Sequence, residues 1–249
     1  MRTNNLNNII RKANLIFLLV LMLISIMVVN KSIVLAAPQG ATITYNLTEN
    51  ATVRSPDSHT AAGGSFTTLI LNVTSQTSKW KAYVGNVTGK LTLDNSNNKS
   101  IYEWALTNVQ GEVYVSRNSS INFTALACSN RGNITSEETL LNINSSSDDS
   151  INKTFTQQIH RSFVIGGTGT ISNSSCYAIA TYVNDAAQPA DESATFQEIL
   201  LSDGRNLIYT SLINDNRPGF DSGTYDFQMI LPDDPGVAST SYYFYAELG

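Results

Sequence analysis

Short runs of alternating apolar and polar residues, separated by turn residues, fill the chain after residue 36. In 41–48 (ATITYNLT), for example, Ile43, Tyr45 and Leu47 fall on one face of an extended strand and polar residues fall on the other. The runs are rich in Val, Ile, Thr, Tyr and Phe, which suit a pleated, half-buried surface. The pattern predicts strands at 41–48, 66–74, 79–84, 87–93, 100–107, 111–116, 120–127, 139–143, 162–166, 176–183, 195–201, 206–213, 223–231 and 240–248.

The spacing of these strands predicts the fold class. Successive strands begin roughly 8–15 residues apart, which is typical of an all-β antiparallel β-sandwich, either immunoglobulin-like or jelly-roll. The sequence SDGRN at 202–206 lies between two apolar runs and predicts a hairpin turn. We therefore expect residues 37–249 to form a single β-sandwich domain.

One segment departs from the alternating pattern. Ile151, Phe155, Ile159 and Phe163 recur at every fourth position, which is a helical spacing. Two aspartates precede them, where the positive end of a helix dipole favours negative charge. The pattern predicts one short helix inserted near 148–160.

Residues 1–36 have the layout of a secretory signal peptide. A basic segment ends at Lys12, an apolar run covers Ala13–Val29, and small residues follow, so we expect cleavage after Ala36. The alternative is an uncleaved membrane anchor, although this run of 17 residues, interrupted by Asn14 and Ser25, is at the short end for spanning a ~30 Å hydrocarbon layer. Either way, the sequence predicts that residues 37–249 are extracellular, secreted or at the cell surface, and that contact with the membrane requires an uncleaved signal.

Charge and composition limit the classes of partner. The whole chain has 15 basic and 20 acidic residues, and removing residues 1–36 leaves a net charge of −9. Such an acidic body is a poor partner for phosphates, so we expect no nucleic acid to bind. Two histidines and two cysteines leave little for a metal centre, and we expect neither a metal site nor a cofactor.

Acceptor sequons for N-linked glycans are abundant and end at residue 173. In the strand pattern, Asn46 falls opposite the apolar face, as do Asn72 and Asn122 in their own runs, so a sugar there would reach water. An Asn-rich composition is the alternative explanation. The predicted glycosylation sites are Asn46, Asn50, Asn72, Asn86, Asn98, Asn118, Asn122, Asn133, Asn144, Asn152 and Asn173.

Cys128 and Cys176 are the two cysteines of the chain. An even pair in an exported protein most often forms a disulfide, which would contribute about 3–4 kcal/mol in the chain-entropy model. Free thiols and an intermolecular bridge are the alternatives.

The sequence DSGTYDF, with Asp221 and Tyr225, resembles the tyrosine corner of immunoglobulin-like sandwiches. The resemblance implies that the Tyr225 hydroxyl bonds back to the chain near residue 221. Phe227 stands where antibody domains have a cysteine, so the inter-sheet disulfide of that family does not carry over.

A longer stretch, from Gly63 to Cys128, contains GGSFTTLILNVTSQTSKWKAYVGNVTGKLTL, then IYEW, then GEVYVSR. It is similar to a group of archaeal secreted proteins of unassigned function, which implies export and a β-rich fold but no reaction. The opening GATITYNLTENAT also resembles the exposed first strand of biofilm-matrix fibre proteins.

Aromatic residues at 80–114, including Trp80 and Trp104, have two interpretations. They can form a packed core, which we expect because large aromatic side chains dominate sandwich interiors, or a stacking platform for sugars. Oxygen-rich turns such as 94–98 are read as solvated turns rather than calcium loops. No G-x-S-x-G elbow or carboxylate pair in an apolar setting is apparent, so we expect no catalytic residues and no enzymatic activity.

Together these features predict a structural or adhesive extracellular protein, such as a filament or coat subunit. Its strand at 41–48, with Ile43, Tyr45 and Leu47 on one face, is expected to complete the sheet of a neighbour by β-strand addition. Its expected partners are further copies of itself or other surface proteins, together with N-linked glycans. The alternative function is a glycan- or ligand-binding extracellular module that uses Trp80 and Trp104.

Overall fold

A central antiparallel sheet organises the protein in the computed structural model, which describes residues 37–166, 168–234, 236 and 239–249. The predicted signal peptide, 1–36, lies outside the described residues. None of the helices in the described part is long and apolar enough to cross a membrane.

The strands of the described chain are β1 (Gln39–Gly40), β2 (Trp80–Gly85), β3 (Lys90–Asp94), β4 (Ser100–Ala105), β5 (Gly111–Ser116), β6 (Ala127–Cys128), β7 (Phe163–Ile165), β8 (Gly169–Ile171), β9 (Ala178–Ala180), β10 (Gln197–Ser202), β11 (Leu207–Leu212), β12 (Arg217–Pro218), β13 (Thr224–Tyr225), β14 (Phe227–Pro232) and β15 (Tyr243–Leu248). The helices are α1 (Arg131–Leu140) and α2 (Ile151–Thr154), with a 3₁₀ turn at Phe123–Ala125.

The central sheet has the strand order β1-β15-β5-β11-β10-β6, and β9 also pairs with β10. Pairs of strands form smaller antiparallel sheets: β2 with β14, β3 with β4, β7 with β8, and β12 with β13. All pairings of these named strands are antiparallel. The predicted all-β, antiparallel, sandwich-like fold is confirmed.

Strands β10 and β11 are buried along their whole length, and a turn at 203–206 joins them as predicted. Alternation divides their side chains between the two faces of the sheet: Leu200 and Tyr209 point to one side, Ile199 and Ile208 to the other. The first face packs under the β2–β14 pair and residues of α1 and α2. The second face packs under β7 and the residues around Cys176.

Helix α1 was not expected, and the predicted strand at 139–143 is wrong. Its N-terminus is fixed by a capping box, in which the Asn130 side chain accepts from the Asn133 amide and the Asn133 side chain accepts from the Asn130 amide. The buried face of α1 carries Ile134 and the acidic residues Glu137 and Glu138. Apolar periodicity is therefore too weak to reveal this helix from sequence.

The helix predicted near 148–160 is present only as α2, a single turn. Ser150 caps it by accepting a hydrogen bond from the Lys153 amide, and it ends at Phe155. Beyond that point Gln157 forms a β-bridge with Ala178, so the chain returns to an extended conformation. The apolar residues at every fourth position therefore do not mark one long helix. Ile151 and Phe155 pack in the first core, whereas Phe163 packs in the second.

The strands predicted at 41–48 and 66–74 are not formed, and these residues are exposed and belong to no helix or strand. The predicted strand at 120–127 is also wrong, since its middle forms the 3₁₀ turn Phe123–Ala125 and only Ala127 belongs to a strand. The chain just before residue 41 is attached to the body, because β1 pairs with β15.

Cys128 and Cys176 form the predicted disulfide, which closes a loop with a sequence separation of 48 residues. The loop contains α1, α2, β7 and β8. Its two ends lie beside β10, because β6 pairs with that strand and the Tyr177 carbonyl accepts from the Leu200 amide at 2.8 Å. The bridge therefore ties the helical insertion to the central sheet.

Replacing both cysteines, Cys128→Ser with Cys176→Ser, is expected to lower the free energy of unfolding by about 3–4 kcal/mol, because the unfolded chain regains the entropy of a 48-residue loop. Denaturant unfolding measures the change. Reductant should bring the wild-type protein to the same midpoint and leave the double variant unaffected. A loss below about 1 kcal/mol would show that the bridge contributes little.

Candidate assembly surface

Residues 41–76, here called the arm, leave the body of the protein and return to it. Every residue of the arm is exposed, and none belongs to a helix or strand. At one end the Ala41 amide donates to the Phe244 carbonyl at 2.9 Å, beside the β1–β15 pair. Just past the other end, the Thr77 hydroxyl donates to Asp149 at 2.8 Å. The arm is thus a long excursion held at both ends.

A tight turn divides the arm into two extended halves. The Ser65 amide donates to the Ala62 carbonyl at 3.2 Å, and Gly64 has a φ of +83°, a conformation that favours glycine. Away from this turn, the backbone groups of 42–61 and 66–76 make no hydrogen bonds within the described chain. The arm therefore offers long rows of free donors and acceptors.

Large apolar side chains on the arm are exposed to water. Ile43, Tyr45 and Leu47, the face predicted to drive strand addition, are 63%, 78% and 69% exposed. The second half of the arm is similar, with exposed side chains at Phe66, Leu69, Ile70, Leu71 and Val73. A concentration of apolar surface on this scale is typical of a site that another molecule covers.

The β3–β4 hairpin has a second exposed apolar surface, here called the hairpin face. Cross-strand pairing places Leu91 beside Trp104 and Leu93 beside Tyr102 on the same side. All four side chains are exposed, and none belongs to either buried core. The opposite side of the hairpin carries Thr92 and a salt bridge between Lys90 and Glu103.

The two tryptophans have different environments. Trp80 is partly buried, packs against the first core, and donates from Nε1 to the Asp149 carbonyl at 2.7 Å. Trp104 is 48% exposed, so its predicted place in the core is wrong, as it is for Tyr102 at 60%. The alternation of β4 could not show this, because an amphipathic hairpin has the same pattern whether or not a layer covers it.

Most of the predicted glycosylation sites are exposed in the structure. Asn133 and Asn152 are partly buried: Asn133 belongs to the capping box of α1, and the Asn152 amide nitrogen donates to Glu138 at 2.6 Å. A glycan on Asn152 would compete with that hydrogen bond. The exposed sites are Asn46, Asn50, Asn72, Asn86, Asn98, Asn118, Asn122, Asn144 and Asn173.

The segment beyond residue 173, which has no sequons, supplies β10, β11, β14 and β15. The hydrogen bond expected of the tyrosine corner is also present there, since the Tyr225 hydroxyl donates to the Asp221 carboxylate at 3.1 Å. Asp221 additionally accepts from the Gly223 amide at 2.9 Å, which closes the turn between β12 and β13. These two residues hold a turn.

Sequence reasoning missed a cluster of buried acidic residues in the central sheet. Glu112 on β5 and Glu247 on β15 face each other across the strands. The Tyr114 hydroxyl donates to Glu247 at 3.2 Å, and the Gly166 amide donates to the same carboxylate at 2.7 Å. The two glutamates are direct cross-strand neighbours only in the register that β5 and β15 adopt. The sequence does not specify which strands pair or in which register, so this contact could not be predicted.

Burial raises the pKa of Glu112 to about 8, and the nearby charge of Glu247 adds to the effect. Burial likewise raises the pKa of Glu247. Glu112 also lines an open cleft of about 550 Å³ together with Arg161. The ionisable residues Asp215 and Arg217 line the cleft as well, whereas Glu247 and Tyr114 are buried and do not line it. The two glutamates and Tyr114 therefore pack within the sheet, where the raised pKa values favour the protonated form of the carboxyl groups.

In the described part of the chain, no three His, Cys, Asp or Glu side chains come together as a metal site. In the oxygen-rich turn at 94–98, the Asn95 side chain accepts from the backbone amides of Asn97 and Lys99. That oxygen atom therefore stabilises the turn itself.

Comparison of the chain with protein-family models, with curated proteins and with solved structures finds no match. The resemblance to archaeal secreted proteins stays a prediction. Function has to be inferred from the geometry of the arm and the hairpin face.

The environments of the two tryptophans can be measured separately. In unassembled Trp80→Phe, which leaves Trp104 as the fluorophore, we expect red-shifted emission that acrylamide quenches readily, because that ring is in water. Trp104→Phe should give bluer emission and weaker quenching from the partly buried Trp80. Equal quenching of the two variants would contradict the exposure described here.

The raised pKa of Glu112 predicts a pH-dependent stability. The folded protein holds this proton up to about pH 8, while the unfolded chain releases it near 4.5, so stability should fall as pH rises between those values. The slope from one such group is about 1.4 kcal/mol per pH unit. Glu112→Gln should flatten the profile by that amount, as measured by denaturant unfolding at several pH values. Glu49→Gln, on the exposed arm, is the matched control, and an equal effect in both variants would contradict the assignment.

Proposed function

We propose that this protein is a non-enzymatic extracellular subunit that assembles into a filament or coat by β-strand addition through residues 41–48. The observation that carries the proposal is the arm: a segment outside any helix or strand, with exposed apolar side chains and free backbone groups, attached to a folded body. A monomer in water gains nothing from this arrangement, because the apolar surface stays hydrated.

Strand addition would satisfy both features of the arm at once. The free amides and carbonyls of 41–48 would pair with the edge of a neighbouring sheet, as in other β-augmented complexes. The alternating side chains Ile43, Tyr45 and Leu47 would then bury one face, and full burial is worth about 1.5–3 kcal/mol for each large apolar side chain before association costs. Moving the arm onto a neighbour would not remove packing from the body, because the arm is not part of either core.

The predicted glycans are compatible with this assembly. Asn46 falls between the apolar side chains of 41–48 and therefore points away from the face that would be buried. Asn72 has the same relation to Leu71 and Val73 in the second half of the arm. Sugars at such positions would coat the outer side of a junction while the apolar side stays free to dock.

The proposal places the protein outside the cell, with further copies of itself or other surface proteins as partners. The disulfide supports this placement, because such bonds persist in oxidising compartments. The clustering of exposed sequons supports it as well, since N-glycans are added to exported chains.

A second candidate function is glycan or ligand binding, and the exposed pair Tyr102 and Trp104 favours it. Their ring centroids lie 4.9 Å apart on the hairpin face. Aromatic rings open to solvent are the usual surface against which sugars stack. Trp80, the other residue of the predicted platform, is on the body and partly buried, so the pair as first predicted is not available.

The arm can be tested by removing its apolar face. Ile43→Ser, Tyr45→Ser and Leu47→Ser together are expected to reduce assembly at least about tenfold, because each of the three side chains loses its burial in the junction. Electron microscopy and size-exclusion chromatography with light scattering measure the assembled fraction of the mature protein.

The matched control changes the opposite face of the same segment, with Thr42→Ser and Thr44→Ser, and is expected to assemble normally. Thermal unfolding of the monomer should be the same in both variants, since these residues are exposed. Normal assembly of the apolar triple variant would refute the proposal.

A further inference from the structure

We infer that the surface receiving the arm is the hairpin face of a second copy, so that 41–48 of one subunit adds to the β3–β4 sheet of the next. The inference rests on the proposed function and names its acceptor. The arm and the hairpin face both carry exposed apolar side chains, and the body covers neither of them.

The hairpin face is an incomplete sheet. Strands β3 and β4 pair with each other, and within the described residues neither has another neighbour. Each strand therefore has an outer edge with unpaired backbone groups. An isolated two-stranded hairpin is marginally stable in water, and a third strand with a shared apolar face is the usual remedy.

The face and the arm are alike in length and charge. Strands β3 and β4 have five and six residues, and 41–48 supplies eight. The segment 41–48 contains no charged residue, and neither do the four residues of the hairpin face, Leu91, Leu93, Tyr102 and Trp104. The charged pair Lys90 and Glu103 lies on the other side of the hairpin, where a salt bridge already neutralises it.

The other free edges of the body are less suitable acceptors. On β2, Tyr83 packs edge-to-face against Phe244 at 5.2 Å, and Trp80 packs near Phe155 at 6.4 Å, so their apolar surface is already in use. The exposed edge of β15 begins to pair with β1, next to the point where the arm leaves. The apolar side of the β3–β4 hairpin, by contrast, contacts neither core.

The predicted glycans leave the face open. Asn98 lies in the turn between β3 and β4, with a φ of 56°, and so projects from the tip of the hairpin rather than from its apolar side. Asn86 lies before β3 begins. On the donor, Asn46 points away from Ile43, Tyr45 and Leu47. A third strand at the edge of the hairpin would therefore place Ile43, Tyr45 and Leu47 as cross-strand neighbours on the apolar side and leave Asn46 on the opposite side.

A polypeptide fits the hairpin face better than a sugar does. The Tyr102 and Trp104 rings meet at 62°, edge to face, so they do not form a flat common platform for stacking. Their neighbours on the face are the aliphatic Leu91 and Leu93, which offer no hydrogen bonds to hydroxyl groups. The arm is also exposed over its full length rather than folded onto its own hairpin, which leaves it available to another copy.

Photo-crosslinking identifies the acceptor directly. The described residues contain no free cysteine, so Tyr45→Cys provides one thiol to which a benzophenone maleimide can be attached on the apolar face. Thr44→Cys with the same label, on the polar face, is the matched control. The labelled protein is mixed with an equal amount of ¹⁵N-labelled protein under assembling conditions, irradiated, and analysed by mass spectrometry.

We expect label at position 45 to crosslink to peptides from 90–105 of the isotopically distinct copy, and label at position 44 to give at least about tenfold less of this product. Assembly with crosslinks to another part of the body, or to the hairpin of the same chain, would overturn this inference while leaving strand addition intact. Absence of both assembly and crosslinks would overturn the proposed function itself.

An acceptor variant gives a second readout. Leu91→Ser with Trp104→Ser should reduce assembly at least about tenfold, and Thr92→Ser on the polar side should not. Both variants keep an intact arm, so each should still add to a wild-type copy, giving a heterodimer in a mixture. Normal self-assembly of the Leu91 and Trp104 variant would overturn the inference. Quenching of Trp104 by an oligosaccharide, with no effect of the arm, would do so in favour of sugar binding.

Discussion

The burial of β10 and β11 on both faces is the constraint on which the rest of the body depends. A strand pair in that position needs cover on two sides, and the chain provides it with two separate cores. The β2–β14 pair and the helices cover one side; β7 and the disulfide region cover the other. Each of these elements therefore helps to cover the same two strands, β10 and β11.

Two other parts of the described chain, the arm and the hairpin face, lack such cover. The arm and the hairpin face have alternating apolar residues of the kind that the body buries, yet both remain in water. Such surfaces cost free energy in an isolated molecule and become favourable only when they are covered. The molecule therefore combines two buried cores with two apolar elements that are exposed to water.

Much of the body could be predicted from sequence because alternation and turn residues specify β-structure locally. The prediction of 111–116 matches β5 in both bounds, and the hairpin at 203–206 follows from its turn. Helix α1 could not be found, since its inner face carries Glu137 and Glu138 and its cap uses two asparagines. The exposure of Trp104 could not be found either, because alternation defines a face but does not show what covers it.

The length of the arm sets a geometric limit on any assembly. Thirty-six residues span at most about 120 Å when fully extended, and because both ends are fixed to one body the tip reaches roughly half that distance. A folded body of this size is about 40 Å across. The docking segment 41–48 starts at the fixed end, so its far end reaches only about 30 Å from the body. A neighbouring body has to lie in direct contact, which would confine the repeat distance of a filament to roughly one body diameter.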